Sequence, residues 1–128
     1  MTEIERFGNN LRVIEVLLKN SDLKEKEFGQ LYLIEIMPGV TTGNHYHKNK
    51  DEWLIPINGE IKVYLEDVVS KQREELVLNS NNLDKKILIQ PNIAHATINQ
   101  SGKPVMLVEY STKPFDPNKE DRIVYKVC

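Results

Sequence analysis

Runs of five to eight residues rich in Ile, Val, Leu and Tyr recur along this chain, and turn residues cut each one off before it reaches helix length. RVIEVLL, QLYLIEI, EWLIPI, EIKVYLED, EELVL, KKILIQ, HATIN and VMLVEY are separated by pairs such as Pro38-Gly39, Asn58-Gly59 and Ser101-Gly102. β-Branched and aromatic side chains suit a pleated, half-buried surface, and short strands at this spacing specify an all-β sandwich or barrel. Only NLRVIEVLLKN also admits a helical reading, and its run of β-branched and apolar neighbours favours a strand. In EIKVYLED, Ile61, Val63 and Leu65 alternate with Lys62, Tyr64 and Glu66, so one face is buried and one is wet. Asn58-Gly59 reads as a hairpin joining EWLIPI to EIKVYLED, since a type I′ turn needs positive φ at both central residues.

The 128 residues contain no repeat, low-complexity tract or Pro/Gly-rich linker, which implies a single domain large enough to bury a core. Seventeen Lys and Arg against nineteen Asp and Glu give a charge of -2, without the basic footprint that nucleic acid requires. The one cysteine, Cys128, excludes an internal disulfide framework and any CxxC motif, consistent with a reducing, cytoplasmic home. No apolar run is long enough for a membrane span or signal segment, so no membrane partner is expected. The sequon Asn99-Gln100-Ser101 is read as a chance match.

Two of the three histidines stand in GNHYHKNKDEW. Strand residues two apart share a face, so His45 and His47 present their imidazoles together while Tyr46 points away. Glu52 opens the next strand, where an antiparallel neighbour can bring its carboxylate beside the two rings. His95, the remaining histidine, starts another apolar strand whose same-face partners are Thr97 and Asn99. Three imidazoles and one carboxylate suit a divalent transition ion such as Mn, Fe, Co, Ni, Cu or Zn, with open positions left for water or substrate. The plainer alternative is solvated side chains, or histidines kept for metal-free acid-base work.

The pattern Gly39, five residues, His45-Tyr46-His47, four residues, Glu52, six residues, Gly59 resembles the first signature motif of the cupin superfamily, and Pro91, His95 and Asn99 resemble the second. Lys85 stands where the second motif has a glycine, and the glycine between proline and histidine is replaced within Asn92-Ile93-Ala94. The resemblance implies a cupin jelly-roll β-barrel over the whole chain, its core spanning about 30–112 and residues 113–128 forming a tail with a final strand. It also implies that His45, His47, Glu52 and His95 are the metal ligands at the barrel mouth.

A finer resemblance is to the small cupins of cell-surface polysaccharide pathways that isomerise or epimerise nucleotide-linked keto-sugars. It rests on GNHYHKNKDEWLIPINGEIKVYLED, ELVLNS, ILIQPNIAHATIN and VEYSTKPFDPNKEDRIVYKV. The ketoisomerases of that group usually carry glutamine where Glu52 stands and work without metal, so Glu52 points to a metal-binding branch. Such chemistry needs a polarised carbonyl, a base and an acid. Glu109 or Tyr110, one of which faces inward by strand parity, is the candidate acid or base, with a packed wall aromatic as the simpler role for Tyr110.

Glu35 is either a buried acid near the site or an outward residue. Lys48 and Lys50 either meet a diphosphate or are solvated, and Trp53, Tyr32, Tyr46, Tyr64 and Tyr125 are expected to pack. Phe115-Asp116-Pro117 and the charged NKEDR should form a surface turn before a final strand, IVYKV, able to pair with a second subunit in a homodimer. Two other functions fit the same residues: a non-catalytic metal- or sugar-binding module and an Fe(II)-dependent dioxygenase.

Overall fold

The computed structural model describes residues 1–11, 13–23, 28–79, 85–113 and 121–128. Their elements in chain order are β1 (Thr2–Glu3), β2 (Glu5–Gly8), β3 (Val13–Val16), a 3-10 turn (Asn20–Asp22), β4 (Gln30–Ile36), β5 (Thr41–Tyr46), β6 (Glu52–Asn58), β7 (Ile61–Asp67), β8 (Arg73–Leu78), β9 (Lys85–Ile89), β10 (Ile93–Ile98), β11 (Val105–Ser111) and β12 (Ile123–Val124). Two five-stranded sheets run in the orders β1-β9-β6-β11-β4 and β12-β5-β10-β7-β8, and β2 and β3 form a separate ribbon. Every pairing is antiparallel. This is the all-β, double-sheet jelly roll that the strand pattern and the cupin resemblance imply.

Alternation builds the interior. Ile36, Leu54, Ile87, Ile89, Val105 and Leu107 of one sheet meet Ile61, Val63 and Leu78 of the other in one buried cluster. Each such side chain contributes about 1.5–3 kcal/mol by leaving water. At the other end of the sandwich the inward positions become polar, and a cavity replaces the core.

One expectation about connections is corrected. Asn58-Gly59 is not a hairpin: β6 pairs with β9 and β11, whereas β7 pairs with β8 and β10 in the opposite sheet. Only Gly59 has positive φ there (+80°), so the pair makes a corner between sheets. Asn58 Oδ1 accepts the Met106 N–H at 3.0 Å and ties that corner to β11. The hairpin leaving β7 instead turns through residues 68–72 into β8, with Lys71 at φ +66°. The final strand pairs along one edge within the chain, Ile123 and Val124 of β12 facing Tyr46 and His45 of β5, and it ends its sheet.

Near the start of the chain, β1 extends the first sheet by pairing with β9. The segment around the 3-10 turn covers the outer face of that sheet, where the Trp53 indole N–H donates to the Asp22 carbonyl at 3.0 Å. Buried Lys86 donates to Asp22 Oδ2 at 2.6 Å and to the Leu17 carbonyl at 3.1 Å, and its ammonium lies 4.9 Å from the Trp53 ring centre. Because Asp22→Ala leaves a buried ammonium without its counter-charge, it is expected to cost about 3–5 kcal/mol. Urea unfolding of the two proteins measures this.

Candidate metal centre

Three strands and one turn converge on the cavity. His45 lies near the end of β5, His47 just beyond it, Glu52 opens β6, and His95 sits on β10. One ligand atom from each lies within 4.8 Å of the others. His45 and His95 are directly opposite in the β5–β10 pairing, with ring centres 4.6 Å apart, and the His45 and His47 rings are 5.0 Å apart. His47 and His95 place Nε2 at 3.0 and 3.7 Å from the same carboxylate oxygen, Glu52 Oε1.

A β-bulge sets this convergence. The β5–β10 register shifts so that His95 faces His45 but Ala96 faces Gly43, leaving Asn44 as the extra residue. Gly43 and Asn44 adopt φ of +95° and +57°. The insertion reverses strand parity, so Thr42 and His45, three apart, both line the cavity. Thr42 and Thr97 join their hydroxyls at 2.6 Å two pairs along from the histidines. A Cβ on Gly43 would lie 2.7 Å from the His95 carbonyl. Gly43→Ala is therefore expected to cost about 1–3 kcal/mol and to loosen the His45–His95 pair, measured by thermal unfolding together with zinc titration.

The second-motif turn survives its missing glycine because Asn92 takes the left-handed conformation, φ +67°, which asparagine tolerates. Its N–H donates to the His47 carbonyl at 2.7 Å and binds this turn to the histidine strand. Asn99 is fully buried and donates to the Ile36 and Lys103 carbonyls, so the sequon around it is structural.

The donor set fits a cation. His47 Nδ1 lies 2.8 Å from the Asp121 carbonyl and His95 Nδ1 lies 3.4 Å from the Ile93 carbonyl. Carbonyls only accept, so both rings carry hydrogen on Nδ1, which leaves Nε2 of each ring toward Glu52. Glu52 Oε1, buried, has no well-aligned donor. Burial, reinforced by the neighbouring histidines, holds His45 down at about 4, and burial likewise lowers His95. Burial opposes ionisation of Glu52, but the adjacent His47 and Glu109 outweigh it and hold the carboxyl below the usual range. Three imidazoles and a carboxylate aimed at one point could hold a divalent ion.

The cavity holds about 790 Å³, and Ile34, Ile36, Leu54 and Leu107 are among the residues that line it. Glu109 of β11 faces inward, opposite Tyr32 of β4 and Leu54 of β6. Burial, and then the Glu52 carboxylate it bonds, push Glu109 up to about 9, so it is a neutral acid at pH 7. Tyr32 bonds Glu109 and is raised far above its ordinary value by burial and by the charges of Glu109 and Glu52.

Tyr110, the other acid-base candidate, faces away from the cavity. Its oxygen accepts the Gly29 N–H at 2.9 Å, and its ring packs edge-on against Phe28; the one-residue step from Glu109 turns it to the outer face. Glu35 is exposed and Lys48 lies outside the cavity, whereas Lys50 lines its mouth with Arg122. Tyr32, expected only to pack, is a cavity residue; the signal was present in QLYLIEI, where Gln30 and Tyr32 share a face with Ile34 and Ile36. Tyr46 and Tyr125 pack against each other outside the site. The Phe115-Asp116-Pro117 turn lies outside the described residues. Among those described, no helix is long and apolar enough to cross a membrane.

Fold and site together define a double-sheet β protein with an internal three-histidine, one-glutamate cluster. The family described as "Polysaccharide biosynthesis C-terminal domain" matches residues 20–123, and this chain belongs to it. The spore coat polysaccharide biosynthesis protein SpsL of Bacillus subtilis (strain 168) is 24% identical over 110 residues, which span 82% of this chain and 72% of SpsL. The capsular polysaccharide assembling protein CapF of Staphylococcus aureus superposes with a TM-score of 0.74 at 20% identity over 97% of this chain; that match spans only 34% of CapF. A mutant of the 3,4-ketoisomerase QdtA from Thermoanaerobacterium thermosaccharolyticum, in complex with TDP-4-keto-6-deoxyglucose, superposes with a TM-score of 0.76 at 17% identity, covering 94% of this chain and 83% of QdtA.

Proposed function

We propose that this chain binds a divalent transition metal through His45, His47, Glu52 and His95 and isomerises or epimerises a keto-sugar, in nucleotide-linked form, for polysaccharide biosynthesis. The observation that carries this reading is Glu109, a carboxyl group that faces into the cavity beside Glu52 and Tyr32. A module that only held a ligand would have no need of a buried acid poised next to its ligand set. SpsL, CapF and QdtA support the setting through what their names describe.

A bound divalent ion would supply polarisation of the sugar carbonyl and stabilisation of the enediolate oxygen. The chain supplies the rest. In its ionised form Glu109 takes the proton from the carbon beside the carbonyl, and as the resulting acid it returns that proton to the neighbouring carbon. Tyr32 hydrogen-bonds Glu109 and fixes its orientation, while the paired Thr42 and Thr97 hydroxyls offer contacts to sugar hydroxyls. Lys50 and Arg122 place positive charge at the mouth, where a diphosphate would lie.

Incubation with TDP-4-keto-6-deoxyglucose in deuterium oxide tests the reading. Protein-dependent deuterium entry beside the carbonyl, read by proton NMR, is expected. Metal and sugar binding without exchange would favour the non-catalytic module, and oxygen uptake with sugar breakdown would favour a dioxygenase. The proposal includes a homodimer, for which exposed Leu31 and Leu33 on the sheet-terminal strand β4 provide an apolar face; light scattering should give twice 14.8 kDa.

A further inference from the structure

Residues 121–128 run along the side of β5 that β10 does not cover. The Asn44 carbonyl accepts the Tyr125 N–H at 2.8 Å, and Asn44 Oδ1 accepts the N–H groups of Val127 and Cys128 at 2.8 and 3.2 Å. These contacts anchor the strap at the bulge. Its other end reaches the site itself, where the Asp121 carbonyl accepts the hydrogen on His47 Nδ1 at 2.8 Å. The same residue's carboxylate accepts the backbone N–H groups of Lys48 and Asn49, at 3.0 and 2.7 Å. One residue thus grips both the His47 ring and the turn that leaves it.

A neutral imidazole has one N–H and one lone pair, and the partner of the N–H decides which nitrogen is left to coordinate. With Nδ1 committed to a carbonyl, Nε2 faces Glu52. We infer that Asp121 is a positioning residue of the metal centre: its carboxylate fixes the turn after His47, so that its carbonyl holds that ring as the Nδ1–H tautomer with Nε2 toward the metal. The inference rests on the metal-binding reading above. The carboxylate is the part that mutation can reach, and losing it frees the carbonyl from its register with the ring.

The test uses the full 128-residue chain, with zinc as the probe and a competing chromophoric chelator as the indicator, for the wild type, Asp121→Ala and Asp121→Asn. Nitrogen-15 NMR of the zinc-loaded proteins reports independently which ring nitrogen of His47 keeps its hydrogen. The wild type is expected to show the Nδ1–H form. Asp121→Ala is expected to show mixed tautomers and to bind zinc about 10–100-fold more weakly, the range for losing an outer-shell partner. Asp121→Asn, whose amide oxygen still accepts an N–H, should recover most of both. Unchanged zinc affinity and tautomer in Asp121→Ala would overturn the role while leaving the metal reading standing. A wild type that binds no zinc would overturn the metal reading and this role with it. Should Asp121→Ala not fold, an Nε2–H tautomer in the wild type alone would overturn the inference.

Discussion

Glu52→Gln is expected to strip the protein of its metal while leaving it folded. The carboxylate is the only anion among the four donors, and its Oε1 is the oxygen on which two Nε2 atoms converge, 3.0 and 3.7 Å away. An amide of the same shape keeps the packing but offers a weaker donor and no charge to offset a dication in a buried site. The loss of zinc affinity should exceed the roughly 10–100-fold typical of an outer-shell partner. The change also removes the anion that Glu109 bonds, so Glu109 should become easier to ionise. Competition titration with a chromophoric chelator measures the first effect, and carbon-13 NMR of the Glu109 carboxyl measures the second. Metal affinity unchanged in this variant would mean that the cluster is not a four-donor centre.

Glu109→Gln should do the opposite, retaining metal and losing turnover. The amide can still donate to Glu52, so the ligand set keeps its neighbour, but no proton can be given or taken. A fall in kcat of about 10²–10⁴-fold is expected, the usual contribution of a positioned acid or base, with KM little changed. Stability in the metal-free protein should also report the residue. Glu109 binds its proton up to about pH 9 in the fold, against an ordinary value of 4.5. Between those limits the native state holds a proton that the unfolded chain lacks, so stability falls as pH rises through the window. Glu109→Gln removes that slope and gains on the wild type toward pH 9, which urea unfolding at several pH values resolves.

Several features of this architecture were legible in the sequence because they depend only on period and residue type. Alternation in EIKVYLED and QLYLIEI marks strands, and the His45-Tyr46-His47 spacing places two imidazoles on one side, as found. Other features depend on contacts distant in sequence. Asn58-Gly59 has the chemistry of a hairpin, yet which sheet β7 joins is decided by its pairing with β8 and β10. The bulge at Gly43–Asn44 is written as a glycine followed by asparagine, but its effect on parity appears only against β10. Tyr32 and Asp121 look like ordinary wall and surface residues until β11 sets Glu109 beside one and the strap sets the other against His47. Parity alone allowed either Glu109 or Tyr110 to face inward, and only the β4 and β6 registers select Glu109.

The metal content of gently purified wild type, measured by inductively coupled plasma mass spectrometry alongside His95→Ala, bears most directly on the proposed function. A stoichiometric transition metal in the wild type and its loss from His95→Ala are expected. Equal metal in both proteins, or none in either after reconstitution, would contradict the four-donor centre on which the proposed chemistry depends.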